Sequence, residues 1–183
     1  MPGHESFKVP TQEERGHDYL WRAHRRTPAK GEIAIFNRSH YEDVLVARVH
    51  ELVPSGTWSR RYDQINAWER MLVEEGTTVV KFFLAISREE QRERLQDRLT
   101  DPTKRWKFRT ADLGERALWD AYRWAFEDAL GRCSTDWAPW YLVPSNRKWF
   151  RNLAVADILA DVIDDLAPAY PSGEPGIEDL TIS

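Results

Sequence analysis

The chain has 183 residues, 42% of them hydrophobic and 31% charged, with a net charge of -4. That suffices for one compact α/β domain with a sizeable core and is too apolar for a disordered chain. No apolar run approaches the roughly 20 residues of a membrane-spanning helix, the acidic balance argues against a general nucleic-acid binder, and Cys133, the one cysteine, excludes an internal disulfide.

Residues 1–5 read as a disordered start, 6–166 as the domain and 167–183 as a flexible, Pro- and Gly-punctuated tail. Thr11 with Glu14 is a capping-box pattern that opens a helix to about Arg26. Pro28 and Gly31 break it, and Ile33 to Phe36 is a short apolar run of the kind buried on both faces of a sheet. Ser39 with Glu42 repeats the capping pattern, and Val44, Leu45 and Val49 continue that helix. A helix fits Arg60 to Glu75, with Ile65, Trp68, Met71 and Leu72 on one face and Gly76 at its end. Thr77 to Ile86 reads as the second strand. Ser87 with Glu90 opens a charged helix to about Leu99, stopped by Asp101 and Pro102. A long helix is expected from Leu113 to Leu130, a third strand at Tyr141 to Val143, and a last helix to Leu166. Most of the nine tryptophans are expected as packing residues. Strands separated by helices imply a parallel sheet with right-handed crossovers, although three strands are few.

Ligands of an open α/β sheet bind at the carboxyl ends of the strands. The run GEIAIFNRSHYEDV therefore sets Asn37 and Arg38 at a ligand edge. The Arg38 guanidinium suits bidentate contact with phosphate, and the helix start at Ser39 adds free N–H groups. Asn37 can hold a water on a metal ion. The plain alternative pairs Arg38 with Glu42 or Asp43. In DPTKRWKFRTAD, the cations Lys104, Arg105, Lys107 and Arg109 alternate with Trp106 and Phe108. Such a segment can close over a polyanion; otherwise it is a solvated connector with Trp106 tucked into the core. Arg147 and Lys148 follow the last strand and either meet an anion or nucleotide base or solvate a helix start. Arg22, Arg25, Arg26 and Lys30 form an anion track or one solvated helical face. His17, His24, His40 and His50 lack companions at zinc spacing, and Cys133 lacks an activating base.

The segments SFKVPT, HDYLWRAH, GEIAIFNRSHYEDV, RYDQINAWERML, VVKFFLAIS, DPTKRWKF and APWYLVPSNRKW, in this order, resemble the polyphosphate kinase 2 family from about Ser6 to Ile163. The HYEDV form is most similar to the subgroup that phosphorylates AMP and ADP from polyphosphate. The resemblance implies a P-loop kinase-like three-layer sandwich around a parallel sheet, related in architecture to thymidylate kinase, and phosphoryl transfer with Mg²⁺. It sets Asn37 and Arg38 at the Walker B-type position, where many relatives have Asp-Arg, and Lys104, Arg105 and Lys107 in a lid. The family's GxDxxGKG phosphate loop does not occur in this sequence. The first, central strand, expected between Ile33–Phe36 and Thr77–Ile86, is missing with it. The expected substrates are polyphosphate and AMP or ADP, and the expected location is the cytoplasm. Uncovered strand edges favour a homo-oligomer. The first expectation is a phosphotransferase, this chain itself or a longer product from an upstream start; the alternative is a non-catalytic polyphosphate-binding or regulatory chain paired with an intact relative.

Overall fold

The computed structural model describes residues 3–7, 9–170 and 173–174. The chain begins with β1 (Gly3–Ser6), two one-turn helices α1 (Gln12–Arg15) and α2 (Trp21–His24), and β2 (Ala34–Asn37). A 3₁₀ turn (His40–Asp43), α3 (Val46–Val49) and the long α4 (Ser55–Glu74) follow. Then come β3 (Lys81–Ala85), α5 (Arg88–Thr100), a second 3₁₀ turn (Arg105–Lys107), α6 (Ala111–Ala117), α7 (Trp119–Cys133), β4 (Trp140–Pro144) and α8 (Lys148–Leu166).

The described residues form four strands rather than the three expected. Residues 3–5, expected within a disordered start, lie in β1, which pairs in parallel with β2 from Gly3 against Ala34 to Ser6 against Asn37. Phe7 anchors this segment, its ring 4.9 Å from Phe36 with the Arg22 guanidinium over it. β3 pairs in parallel with β4, and the two pairs are separate two-stranded sheets. The strands are parallel as expected, but they do not form one continuous sheet. Residues 167–170 and 173–174 carry no regular structure, and the rest of the tail lies outside the described residues.

The capping box at Thr11 forms in full, with Glu14 N donating to Thr11 Oγ1 at 3.2 Å and Thr11 N donating to Glu14 Oε2 at 2.8 Å. The single helix expected to reach Arg26 is nevertheless split. Gly16 closes α1 by donating to Glu13 O at 2.9 Å, and Asp18 Oδ1 restarts the chain by accepting from Leu20 N and Trp21 N. The long helix expected from Leu113 is likewise divided, with Leu118 at the junction of α6 and α7.

The sealed core is helical. Tyr41, Val44 and Leu45 meet Tyr62 and Ile65 of α4 and Ala125, Ala129 and Cys133 of α7. Burial of this cluster outside the sheets has a direct cost for the strands. The run Ile33–Phe36 was expected to be covered on both faces, yet Ile35 is 52% exposed and Ile33 is exposed as well. Leu84 of β3 and Leu142 of β4 are also exposed, because each sheet has only two strands and the core helices leave part of it uncovered. Five of the nine tryptophans are half-buried, and Trp58 and Trp140 pack against the core cluster. None is fully buried, and Trp106, Trp124, Trp137 and Trp149 are exposed.

Candidate functional site

β2 ends at the exposed Asn37, and the backbone turns sharply at Arg38, whose φ is +61°. Few residues other than glycine occupy this left-handed region, and they hold it only where the surroundings over-determine it. Ser39 Oγ then accepts from Tyr41 N at 3.3 Å and starts the 3₁₀ turn. The second half of the expected capping box does not form. Glu42 instead accepts a hydrogen bond from Arg38 Nη2, which holds the half-exposed guanidinium above its ordinary pKa. Asp43, the other expected partner, is taken by Arg22 at 3.1 Å and Arg61 at 3.6 Å. Burial pushes the Asp43 carboxyl up despite these two cations. Arg25 and Arg26 pair with Glu13 and Glu5, so three of the four cations proposed as a track are engaged in ion pairs.

Arg38 also lies in the field of Tyr122 and Glu115. The Tyr122 hydroxyl donates to Glu115 Oε2 at 2.8 Å, and His50 Nε2 lies 3.2 Å from both groups. Burial raises the Glu115 carboxyl, but the hydrogen bonds from Tyr122 and His50 outweigh it and leave Glu115 below the usual range. Glu115 belongs to α6, the helix that directly follows the cationic segment. The sheet-end arginine thus feels the charge of the helix that follows that segment.

The cations of the segment are turned elsewhere. Lys104 Nζ lies 2.9 Å from Asp97 Oδ2 and 3.0 Å from Asp101 Oδ2, and hydrogen bonding to Asp97 and Asp101 raises its pKa. Hydrogen bonds from Thr103, then Lys104, push the Asp101 carboxyl down to about 2. Arg105 Nε donates to Leu99 O at 2.9 Å, and Lys107 Nζ stands 5.0 Å from the Trp106 ring centre. Trp106 is 78% exposed rather than tucked into the core, with its Nε1 donating to Thr103 O. Among the described residues, no hydrogen bond or ion pair joins Lys104, Arg105 or Lys107 to Arg38.

At the carboxyl ends of β3 and β4, Ser87 N donates to Asn146 Oδ1 at 2.9 Å, and Arg94 Nη2 donates to Ser145 O at 2.7 Å. Beside this clasp opens a cleft of about 470 Å³ lined by Leu142, Ser145, Asn146, Arg147, Trp149 and Phe150. Arg147 is the residue before α8 and Lys148 its first; both are exposed.

One constellation escaped the reading of the sequence. Glu69 of α4 is wholly buried and bonds Tyr41, Lys81 and His40. Its signal was a carboxylate in step with Tyr62 and Ile65 on the apolar side of a helix, answered by a lysine at the head of the strand KFFLA. Burial lowers the Lys81 pKa, partly offset by Glu69. His40 is thus a buried structural histidine, and burial pushes the Cys133 thiol up to about 11, which makes it a poor nucleophile. Among the described residues no group of three or more His, Cys, Asp or Glu side chains could hold a metal.

The polyphosphate kinase 2 family profile matches residues 4–170. The AMP/ADP-polyphosphate phosphotransferase of Meiothermus ruber is 55% identical over 177 residues, covering 97% of this chain and 66% of that protein. The ADP-polyphosphate phosphotransferase of Rhodopseudomonas palustris is 43% identical over 182 residues, covering 93% and 63%. The crystal structure of polyphosphate kinase 2 from Arthrobacter aurescens superposes with a TM-score of 0.92 at 44% identity, over 96% of this chain and 62% of that one. The chain therefore spans somewhat less than two thirds of the length of these relatives. A match running nearly end to end, joined to this likeness of fold, establishes that the chain belongs to the polyphosphate kinase 2 family.

Proposed function

We propose that this chain takes part in phosphoryl transfer between inorganic polyphosphate and AMP or ADP. Arg38 is the observation that carries the reading: a guanidinium at the carboxyl end of a parallel strand, on a strained backbone, in a chain of this family. In this role Arg38 exchanges Glu42 for a phosphate oxygen pair, which its planar fork accepts bidentately. Lys104, Arg105 and Lys107 neutralise further phosphates as the segment swings about α6, and Arg147 and Lys148 flank the nucleotide at the end of β4. Asn37 orients a water or metal-bound water. Mg²⁺ is usually held by one or two carboxylates together with substrate phosphates. The described residues offer no dedicated cage, so the ion fits among them only as one carried by the phosphates.

The finer fold reading is a P-loop kinase type with the strand between β2 and β3, and the phosphate loop after it, supplied by residues outside this sequence. The separation of the two strand pairs supports it. Without those preorganised N–H groups and lysine, turnover falls by about a thousandfold or more. The second reading is a non-catalytic polyphosphate-binding or regulatory chain that pairs with an intact relative. The exposed edge at Ile33 and Ile35 favours this, and it also favours self-association.

The test incubates the purified chain with AMP, polyphosphate and Mg²⁺, and in parallel measures polyphosphate binding against salt. Salt-sensitive binding is expected in either reading, with product formation separating them. Binding no stronger than to a neutral polymer of equal length would remove both.

A further inference from the structure

We infer that Glu69 is a positioning residue that holds the Arg38 turn in place and fixes it relative to β3. The inference rests on the reading of Arg38 as a phosphate contact. Glu69 has no exposed surface. Its Oε1 accepts from the Tyr41 hydroxyl at 3.0 Å and lies 3.2 Å from His40 Nε2, while Lys81 Nζ donates to its Oε2 at 2.6 Å. Lys81 Nζ also donates to the Tyr41 hydroxyl at 3.0 Å and to Cys133 O at 2.7 Å, so all three of its N–H bonds are used. The ammonium stands 5.3 Å from each of the Tyr41 and Trp140 ring centres.

One carboxylate thus ties together the turn after β2, the middle of α4, the first residue of β3 and, through Lys81, the end of α7. β2 and β3 belong to different sheets with no ladder between them. The Glu69 junction is therefore a direct polar tie between the two strand pairs. It also begins two residues past the strained backbone of Arg38. A positive φ on arginine persists only where the neighbouring chain is pinned, and His40 and Tyr41 are both pinned to Glu69.

Stability does not account for the arrangement. A buried ion pair is often matched or bettered by apolar side chains of the same volume, whereas removal of one partner strands the other. What the ion pair adds is direction: the carboxylate accepts only along its lone pairs, and so sets where His40 and Tyr41 stand.

The experiment compares the full chain with Glu69→Gln and with the double variant Glu69→Met/Lys81→Met. Three quantities are read: thermal unfolding, amide hydrogen exchange over residues 37–41, and affinity for polyphosphate at fixed salt. Glu69→Gln is expected to speed exchange at 37–41 and weaken polyphosphate binding, each by about tenfold, the scale of one charged hydrogen bond. The double variant is expected to regain the thermal stability lost in Glu69→Gln while exchange and affinity stay impaired. If it folds stably with wild-type exchange and wild-type affinity, Glu69 is packing alone and the inference falls. Should Glu69→Gln fail to fold, the double variant carries the comparison. Should the wild-type chain bind no polyphosphate, the functional reading fails by itself. Exchange at 37–41 then decides the positioning role, faster exchange in the double variant supporting it and unchanged exchange overturning it.

Discussion

Tyr122 donates its hydroxyl to Glu115 across 2.8 Å, and that contact fastens the first turns of α7 to the helix leading out of the cationic segment. Tyr122→Phe keeps the ring and removes the bond. The expected result is a loss of about 1 kcal/mol in urea unfolding and faster hydrogen exchange confined to residues 104–117. Unchanged exchange there would show that α6 is held by other contacts.

Arg38 separates charge from backbone. Arg38→Ala and Arg38→Gly both remove the guanidinium, and both are expected to weaken polyphosphate binding by about tenfold. Only glycine relieves the left-handed strain, so Arg38→Gly should unfold at higher urea than Arg38→Ala, by about 1 kcal/mol. Equal midpoints would mean that the turn relaxes when the side chain goes. Glu42→Gln frees the guanidinium and is expected to tighten polyphosphate binding by about twofold to threefold, as an exposed ion pair contributes little.

Lys104 is engaged by Asp97 and Asp101, so its charge is shared before any polyanion arrives. Asp97→Asn is expected to raise polyphosphate affinity by a few-fold at low salt, an effect that fades near 1 M salt, where the screening length is about 3 Å. The Asp101 carboxyl has a depressed folded-state pKa, so its favourable contribution is present above the unfolded value of about 3.9 and is lost as the pH falls through about 2. Carboxyl chemical shifts followed by NMR should place its midpoint near the lower value. A midpoint near 4 would mean that the Thr103 bonds do not hold in solution.

Ile65 has no exposed surface and sits where α4 meets Tyr41, Val44 and α7. Ile65→Ala should cost about 3 kcal/mol through lost burial and the cavity left behind. Ile35, by contrast, is more than half exposed on β2. Ile35→Lys is expected to leave the unfolding midpoint nearly unchanged and to lower the association seen by sedimentation at high protein concentration.

Local signals in the sequence translated well into structure. Thr11 with Glu14 gave a complete box, and the strands Ala34–Asn37, Lys81–Ala85 and Trp140–Pro144 fall inside or within a residue of the runs that announced them. The family likeness was legible from the order of seven short segments. Less legible was anything that depends on a distant partner. Gly3–Ser6 is too polar to announce a strand and becomes one only against β2. Glu42 sits at capping-box spacing from Ser39, but a guanidinium four residues away is a stronger donor than a backbone N–H. Apolar content alone suggested covered strands. It could not show that the helices would bury Tyr41 and Ile65 and leave Ile35 and Leu142 in water. Glu69 and Lys81 stand twelve residues apart and face each other only once α4 has packed beside β3.

Placing the sealed interior among the turn after β2, α4 and α7 gives the molecule a graded resistance to opening. The helix α8, none of whose residues is buried, can fray while that interior stays shut, whereas β3 is tied to it through Lys81. A protease acting under native conditions would then nick α8 first and release a trimmed body, well before the chain loses its fold as a whole.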